Sequence, residues 1–98
     1  MSYRIEFSIR ARENLLQFRK RDQQIVVDAI EVQLVHQPTE PTRHRKLLEE
    51  NLLAPWELRV GEFRVFYDAD EASEKVIVAA VGRKSHGVLP IGGEEFEL

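Results

Sequence analysis

The sequence predicts an α+β domain in which two helices pack on one face of a mostly antiparallel sheet. Three observations support this prediction. The first ten residues alternate between apolar and polar side chains, as a half-buried strand does. Residues 11–35 change to helical spacing, and residues 56–82 return to strand patterns. The predicted order is an N-terminal strand, an antiparallel helical hairpin and a three- to four-stranded antiparallel meander, all within one domain of residues 1–98.

The first strand and the first helix differ in the period of their apolar residues. Along the strand, every second residue from Tyr3 to Ile9 is apolar, and charged or hydroxyl side chains separate them. From Ala11 onward the apolar residues recur three and four positions apart, which is typical of one face of a helix. We therefore expect the first helix to run from Ala11 to about Lys20.

A second helix is expected from an N-cap at Asp22 to about Val35. Its apolar stripes are rich in β-branched residues, which also favour strands. The length of the periodic segment decides for a helix, since no turn signal interrupts it before Pro38. Only Lys20 and Arg21 separate the two helices, so they should form an antiparallel hairpin.

A β-hairpin with Gly61-Glu62 at its turn is the most specific structural prediction. A type II′ turn requires glycine at its first central position. This turn fixes the pairing of the two strands, and side chains directly opposite each other share a face. Arg59 then lies opposite Arg64 on one face. The other face is apolar and should pack on the helices: Trp56, Leu58, Val60, Phe63, Val65 and Tyr67.

The segments around this hairpin are less uniform in pattern. An acidic loop from Ala69 to Glu74 follows it, and the apolar run of residues 75–82 then predicts an interior strand. The basic run of residues 43–48 shows no clear secondary structure. A further short strand near Val88–Ile91 remains open.

Composition limits the classes of function. The chain has 98 residues with 14 Lys and Arg and 17 Asp and Glu, so its net charge of −3 does not by itself predict nucleic-acid binding. The charge is uneven, at +3 in residues 1–48 and −6 in residues 49–98. No apolar run approaches the roughly 20 residues that cross a bilayer, and the first residues lack a signal-peptide pattern. Without cysteine there are no disulfides or thiolate zinc sites. We expect a cytoplasmic protein with no metal and no cofactor.

The pairing of Arg59 with Arg64 is the main candidate for a functional site. Like charges directly opposite on two strands destabilise the pair, so this arrangement needs an explanation. The guanidinium groups could both extend into water, or Glu57 and Glu62 could neutralise them. Alternatively they form an anion site, because the planar fork of arginine matches the geometry of a phosphate. The residues alone leave these alternatives open.

Two segments resemble the conserved half of RelE/ParE-family toxins. They read LRVGEFRVFY over residues 58–67 and VIVAAVGRK over residues 76–84, with an acidic loop between them. A strand and a helical hairpin precede them in the same order as in that family. The resemblance implies the toxin of a type II toxin–antitoxin system with a RelE-like fold.

The resemblance also implies a chemistry. RelE-like toxins enter the ribosomal A site and cut the bound mRNA without a metal, using basic side chains to stabilise charge on the phosphate. The matching positions imply catalytic roles for Arg59, Arg64, Arg83 and Lys84. His86 is the titratable ring nearby that could act as acid or base. The basic run adds candidate RNA contacts: Arg43, Arg45 and Lys46.

Two departures from the family pattern keep other functions open. Glu57 stands where the family often has a basic residue, and no tyrosine follows Tyr67 although many members carry one after the last strand. A ParE-like toxin that acts on DNA gyrase, or a decayed relative that only binds its antitoxin, would share the fold. The expected partners are a cognate antitoxin in every case, the ribosome and mRNA in the first, and gyrase in the ParE-like case. No membrane partner is expected.

Overall fold

A computed structural model describes residues 2–51, 53–84, 88–91 and 94–97. Over these residues the chain forms two consecutive helices, a five-stranded sheet and a separate two-stranded sheet. The α+β class that the sequence predicts is therefore confirmed. No helix in the described ranges is long and apolar enough to cross a membrane. In chain order the elements are β1 (Arg4–Phe7), α1 (Ile9–Leu16), α2 (Lys20–Leu34), β2 (Arg45–Leu47), β3 (Trp56–Val60), β4 (Phe63–Asp70), β5 (Lys75–Arg83), β6 (Val88–Ile91) and β7 (Glu94–Glu97).

The main sheet has the strand order β1-β5-β4-β3-β2. From β2 to β5 each neighbouring pair is antiparallel, whereas β1 runs parallel to β5, so the sheet is mixed. The meander thus gains a fourth strand from β2, in the basic run whose structure the sequence left open. β6 does not extend this sheet, because it pairs with β7 in the second one.

The first helix begins two residues earlier than its apolar pattern predicts, because Ser8 ends the strand. The Ser8 hydroxyl accepts a hydrogen bond from the Ala11 N–H at 3.0 Å, as an N-cap does, and donates to the Ala79 carbonyl at 2.8 Å. Ile9 therefore lies in α1 and is 75% exposed, although the alternation placed it on the buried side of a strand.

The second helix also begins early. Its N-cap position is Arg19 and its first residue is Lys20, so Asp22 lies in the first turn and not at the cap. A carboxylate in the first turn is favourable, since the backbone N–H groups there carry partial positive charge. Of the two apolar stripes of α2, the one that faces the sheet is buried: Val26, Ile30 and Leu34.

The main core lies between the helices and what we call the helix-side face of the sheet. The hairpin register is the one predicted, with Arg59 opposite Arg64. Gly61 has a φ of +59° and Glu62 is not among the residues with positive φ, which fits the predicted type II′ turn. The apolar residues of the hairpin that join this core are Trp56, Leu58, Val60, Phe63, Val65 and Tyr67.

A bulge in β5 changes which face its later residues occupy. Phe66 pairs with Ala80 but Tyr67 pairs with Val78, so one residue of β5 is extra at this point. Before the bulge Val78 joins the main core, and after it Val81 does. The side chain of Asn14 stabilises this region from α1, because its amide oxygen accepts from the Val81 N–H at 3.0 Å inside the core.

The opposite side of the sheet, which we call the outer face, has a smaller apolar cluster. Phe66 and Ala80 are fully buried there against Leu89 and Ile91 of β6. Gly82 is what permits this approach, since a Cβ at that position would lie 2.8 Å from the Ile91 side chain and 2.9 Å from the Pro90 carbonyl oxygen. The C-terminal segment therefore covers part of the outer face next to the arginines.

Candidate anion site on the outer face

The two arginines of the β3–β4 hairpin form the centre of the candidate site. Their cross-strand pairing places both side chains on the outer face, away from the helices. The Arg59 side chain is 47% exposed and the Arg64 side chain only 14%. Access to solvent is therefore unequal, with Arg59 the more open of the two.

Glu57 lies between these arginines and is the counterion that one of the sequence alternatives required. Its Oε1 is 3.2 Å from Nε of Arg59 and 4.0 Å from Nε of Arg64. The Glu57 side chain is only 6% exposed. A carboxylate removed from water to this degree needs such cationic partners, because an unpaired buried charge is costly.

Arg64 is also held by the backbone of the turn. Its Nη1 donates to the Gly61 carbonyl at 2.8 Å and to the Phe63 carbonyl at 2.9 Å. The guanidinium is thus held by two carbonyls of its own hairpin, with the Glu57 carboxylate 4.0 Å from its Nε. A fork fixed in this way loses little conformational entropy when its remaining donors bind a phosphate.

The short strand β2 brings a third cation to the same face. Lys46 pairs with Glu57 across the β2–β3 ladder, so their side chains share a face, and Lys46 is exposed. The basic run, whose secondary structure the sequence left open, therefore adjoins the arginine pair. Arg43 is exposed in the loop that leads into β2.

Arg45 points to the other side of β2 and has a structural role. The residue is 8% exposed, and its guanidinium donates to the Glu40 carbonyl at 2.9 Å, the Gln33 carbonyl at 2.8 Å and the Gln33 side-chain oxygen at 3.0 Å. These bonds tie the end of α2 to the following loop. The guanidinium donates to these internal acceptors, so it does not lie at the surface where we expected Arg45 to contact RNA.

Arg83 lies on the helix-side face, because the bulge in β5 pairs it with Phe63. Its guanidinium carbon is 5.5 Å from the centre of the Phe63 ring, and its Nη2 is 2.8 Å from the Glu62 carboxylate. Glu62 therefore neutralises Arg83 and not the Arg59–Arg64 pair. The candidate catalytic arginines are divided between the two faces of the hairpin.

The remaining candidates differ in what the structure describes. Lys84 follows β5, and its backbone N–H donates to the Glu62 carbonyl at 2.8 Å, which keeps it beside the turn. His86 lies outside the described residues. Tyr67 does not replace the late tyrosine of the family, because its fully buried phenol donates to the Pro38 carbonyl at 2.6 Å. Burial also raises the pKa of Tyr67 above its ordinary value.

Two features of the site were missed by sequence reasoning. The position of Lys46 beside Glu57 requires β2, and three residues are too few for a recognisable alternation. A usable signal was that Arg45, Lys46 and Leu47 stand between Pro41 and Pro55, in a segment long enough for one more strand. The bulge that sends Arg83 to the other face has no signal, because β5 is apolar on both faces.

Comparison with known proteins gave solved structures alone. No protein-family model and no curated protein matches the chain. One similar structure is a chain of the toxin–antitoxin complex RelBE2 from Mycobacterium tuberculosis, with 25% sequence identity, a TM-score of 0.72, and coverage of 86% of this chain and 100% of that one. Another is a chain of the archaeal RelE–RelB complex from Pyrococcus horikoshii, with 16% identity, a TM-score of 0.65, and coverage of 88% and 99%. At 16% identity the second likeness concerns the fold alone.

Proposed function

We propose that this chain, whose predicted likeness to RelE toxins is confirmed by its fold, is a ribosome-dependent endonuclease that cuts mRNA in the A site. The similar structure at 25% identity comes from the toxin–antitoxin complex RelBE2, which supports the toxin of a type II toxin–antitoxin system. The single observation that carries the nuclease proposal is the pairing of Arg59 with Arg64 on the outer face.

The proposed chemistry is attack of a ribose 2′-hydroxyl on the neighbouring phosphate, which forms a 2′,3′-cyclic phosphate, breaks the P–O5′ bond and releases the 5′-hydroxyl of the next nucleotide. The 2′-hydroxyl loses a proton and the leaving 5′-oxygen gains one. Negative charge then builds up on the phosphate oxygens, and preorganised guanidinium donors stabilise it more than they stabilise the ground state. Arg64, fixed by the turn, and the more exposed Arg59 suit this role. Arg83 and Lys84 lie near the same turn and would contact the RNA backbone that flanks the phosphate. We assign proton transfer to His86, because imidazole titrates near neutral pH.

Binding of the RNA backbone depends on local charge in this protein, since the net charge is −3. Lys46 stands exposed beside the arginine pair, and Arg43 is exposed just before β2. Such a local patch attracts phosphate even when the whole chain is acidic. The proposal implies a cytoplasmic location, a cognate antitoxin as partner, and no metal or cofactor in the reaction.

A second candidate function is supported by Glu57. A carboxylate buried between the two arginines lowers the positive potential that a phosphate would meet. A chain with this feature could be a relative that binds its antitoxin without cutting RNA. A ParE-like action on DNA gyrase is the other alternative, and the fold does not distinguish it.

The test is cleavage of mRNA on programmed ribosomes by the purified protein. We expect cuts in the A-site codon, and a loss of about 100-fold or more in cleavage rate for Arg64→Ala. The matched control is Arg12→Ala, which removes the same charge from an exposed position on α1 and should cut normally. Circular dichroism would establish that both variants keep the fold.

Other results would redirect the assignment. Intact mRNA together with stalled gyrase–DNA complexes would favour the ParE-like function. Neither activity, combined with tight binding of a small protein encoded next to this chain, would favour the antitoxin-binding relative. Equal cleavage by wild type and Arg64→Ala would remove the arginine pair from the mechanism.

A further inference from the structure

The Glu57 carboxylate lies beside both arginines of the hairpin. A single oxygen, Oε1, is 3.2 Å from Nε of Arg59 and 4.0 Å from Nε of Arg64. With 6% of its side chain exposed, Glu57 is also too deep to contact a substrate directly. Its effect on a bound anion must therefore pass through the two arginines.

This contact has a clear benefit for folding. Two guanidinium groups directly opposite each other on antiparallel strands repel, and Arg64 is mostly removed from water. Charges interact more strongly in such an environment than in bulk solvent. Glu57 supplies the compensating negative charge within the same hairpin, so its removal leaves the repulsion uncompensated.

The same contact has a cost for anion binding. A phosphate that approaches Arg59 and Arg64 meets a fixed negative charge already bound to them and has to share their donors with it. Lys46 lies directly across the ladder from Glu57 and offsets part of this charge. Among the described groups on this face, three cations would therefore attract the phosphate and one carboxylate would oppose it: Arg59, Arg64 and Lys46 against Glu57.

We propose that Glu57 is an internal anion that stabilises the β3–β4 hairpin and, through the same contact, weakens phosphate binding at Arg59 and Arg64. This inference rests on the proposed role of the two arginines as a phosphate site. It makes Glu57 a positioning residue, and it predicts that neutralising Glu57 strengthens binding while it weakens the fold.

The experiment compares wild type with Glu57→Gln in the full chain. Glutamine has nearly the same shape and keeps an oxygen that can accept from Nε of Arg59. Inorganic phosphate is the probe, and the chemical shifts of the arginine Nε–Hε groups report its binding. We expect phosphate to bind Glu57→Gln about tenfold more tightly, and the urea midpoint of unfolding to fall. A purely structural role for Glu57 would weaken phosphate binding or leave it unchanged, so a gain is diagnostic.

Two further variants make the result specific. Glu31→Gln removes the same charge from an exposed position on α2 and should leave phosphate affinity within about twofold of wild type, since a distant surface charge is screened. Adding Arg59→Gln to Glu57→Gln should abolish the gain.

The outcomes separate this inference from the nuclease proposal. Unchanged or weaker phosphate binding by Glu57→Gln overturns the inference even if ribosomes show Arg64-dependent cleavage. If neither wild type nor Glu57→Gln binds phosphate, the inference is overturned as well, because the two arginines then form no anion site that Glu57 could weaken. A gain in phosphate affinity without any mRNA cleavage leaves the inference standing and removes the nuclease function.

Discussion

The two faces of the β3–β4 hairpin differ in the interactions that stabilise their side chains. On the helix-side face, Leu58 and Val65 are fully buried by α1 and α2 in one continuous apolar core. On the outer face, Glu57 is buried and Arg64 is mostly buried, yet ion pairs and turn carbonyls hold them. Alternation along two short strands thus creates one face that depends on packing and one that depends on charge balance.

This difference shows where the molecule can bear functional change. Nearly every truncation in a packed apolar core lowers the free energy of unfolding, whereas the charges of a cluster can be altered one at a time. The outer face is not free of packing, because Phe66 and the C-terminal strand β6 form a second apolar cluster beside the arginines. The following changes test how independent the two faces are.

Phe66→Ala should have the largest effect on stability. Phe66 is fully buried on the outer face, so we expect the free energy of unfolding to fall by about 4 kcal/mol. Urea denaturation measures this, and hydrogen exchange of residues 88–91 should accelerate at the same time. A loss below about 1 kcal/mol would mean that the second cluster contributes little, and the contrast between the faces would be sharper than we describe.

Arg45→Ala and Lys46→Ala compare neighbours that point to opposite faces of β2. Arg45→Ala should cost about 3 kcal/mol of unfolding free energy, because the partly buried carbonyl oxygens of Gln33 and Glu40 lose a charged donor. Lys46→Ala should change stability by less than about 0.5 kcal/mol. In fluorescence anisotropy with a short RNA, the order should be reversed. Relative to the stability lost, Lys46→Ala should weaken RNA binding more than Arg45→Ala does. Loss of RNA affinity by folded Arg45→Ala alone would contradict its structural role.

Gly82→Ala should destabilise the contact between the outer face and β6. Its new Cβ would lie 2.9 Å from the Pro90 carbonyl oxygen, and backbone cannot move aside cheaply. We expect a loss of about 2 kcal/mol by thermal denaturation. Gly61→Ala is the comparison, since space is open there and only the φ of +59° is unfavourable, at about 1 kcal/mol. Equal costs at both positions would argue that β6 is not packed on Gly82.

Tyr67→Phe should cost less than the substitutions of Phe66, Arg45 and Gly82, about 1.5 kcal/mol, because the buried Pro38 carbonyl loses its donor. Burial raises the folded-state pKa of Tyr67 above its ordinary value of 10.0, and nearby Arg45 lowers it only in part. A group with a raised pKa stabilises the fold fully below the unfolded pKa and loses this contribution as pH rises. Wild type should therefore lose stability above about pH 10, and Tyr67→Phe should lose less. Tyr3, whose pKa is also raised, will leave some slope in the variant.

Much of the fold followed from local pattern. The hairpin register was predicted because a two-residue turn with Gly61 first leaves one pairing for the residues on either side. Helix existence was predictable from periodicity, but helix starts were not. Ser8 caps α1 by accepting from the Ala11 N–H, and its hydroxyl also donates to the carbonyl of Ala79 in a distant strand, which no local pattern reveals.

The candidate site was predictable only in part. The Arg59–Arg64 pair follows from the hairpin register, and the role of Glu57 as their counterion was one of the alternatives that the residues allowed. The place of Lys46 was not predicted, because it depends on a three-residue strand that exists only by pairing with β3. The same pairing turns Arg45 inward, although we expected it, like Lys46, to contact RNA.

Local pattern was enough to predict the two faces of the hairpin, since a period of two and a fixed turn leave no freedom in which residues are neighbours. Which cations share the outer face depended instead on contacts between distant parts of the chain. A single extra residue in β5 moved Arg83 to the helix-side face, where Glu62 and the Phe63 ring hold it. At this bulge the Ser8 hydroxyl donates to the Ala79 carbonyl, and the Asn14 side-chain oxygen accepts from the Val81 N–H. Because β5 is apolar on both faces, its sequence does not indicate which face its last residues occupy.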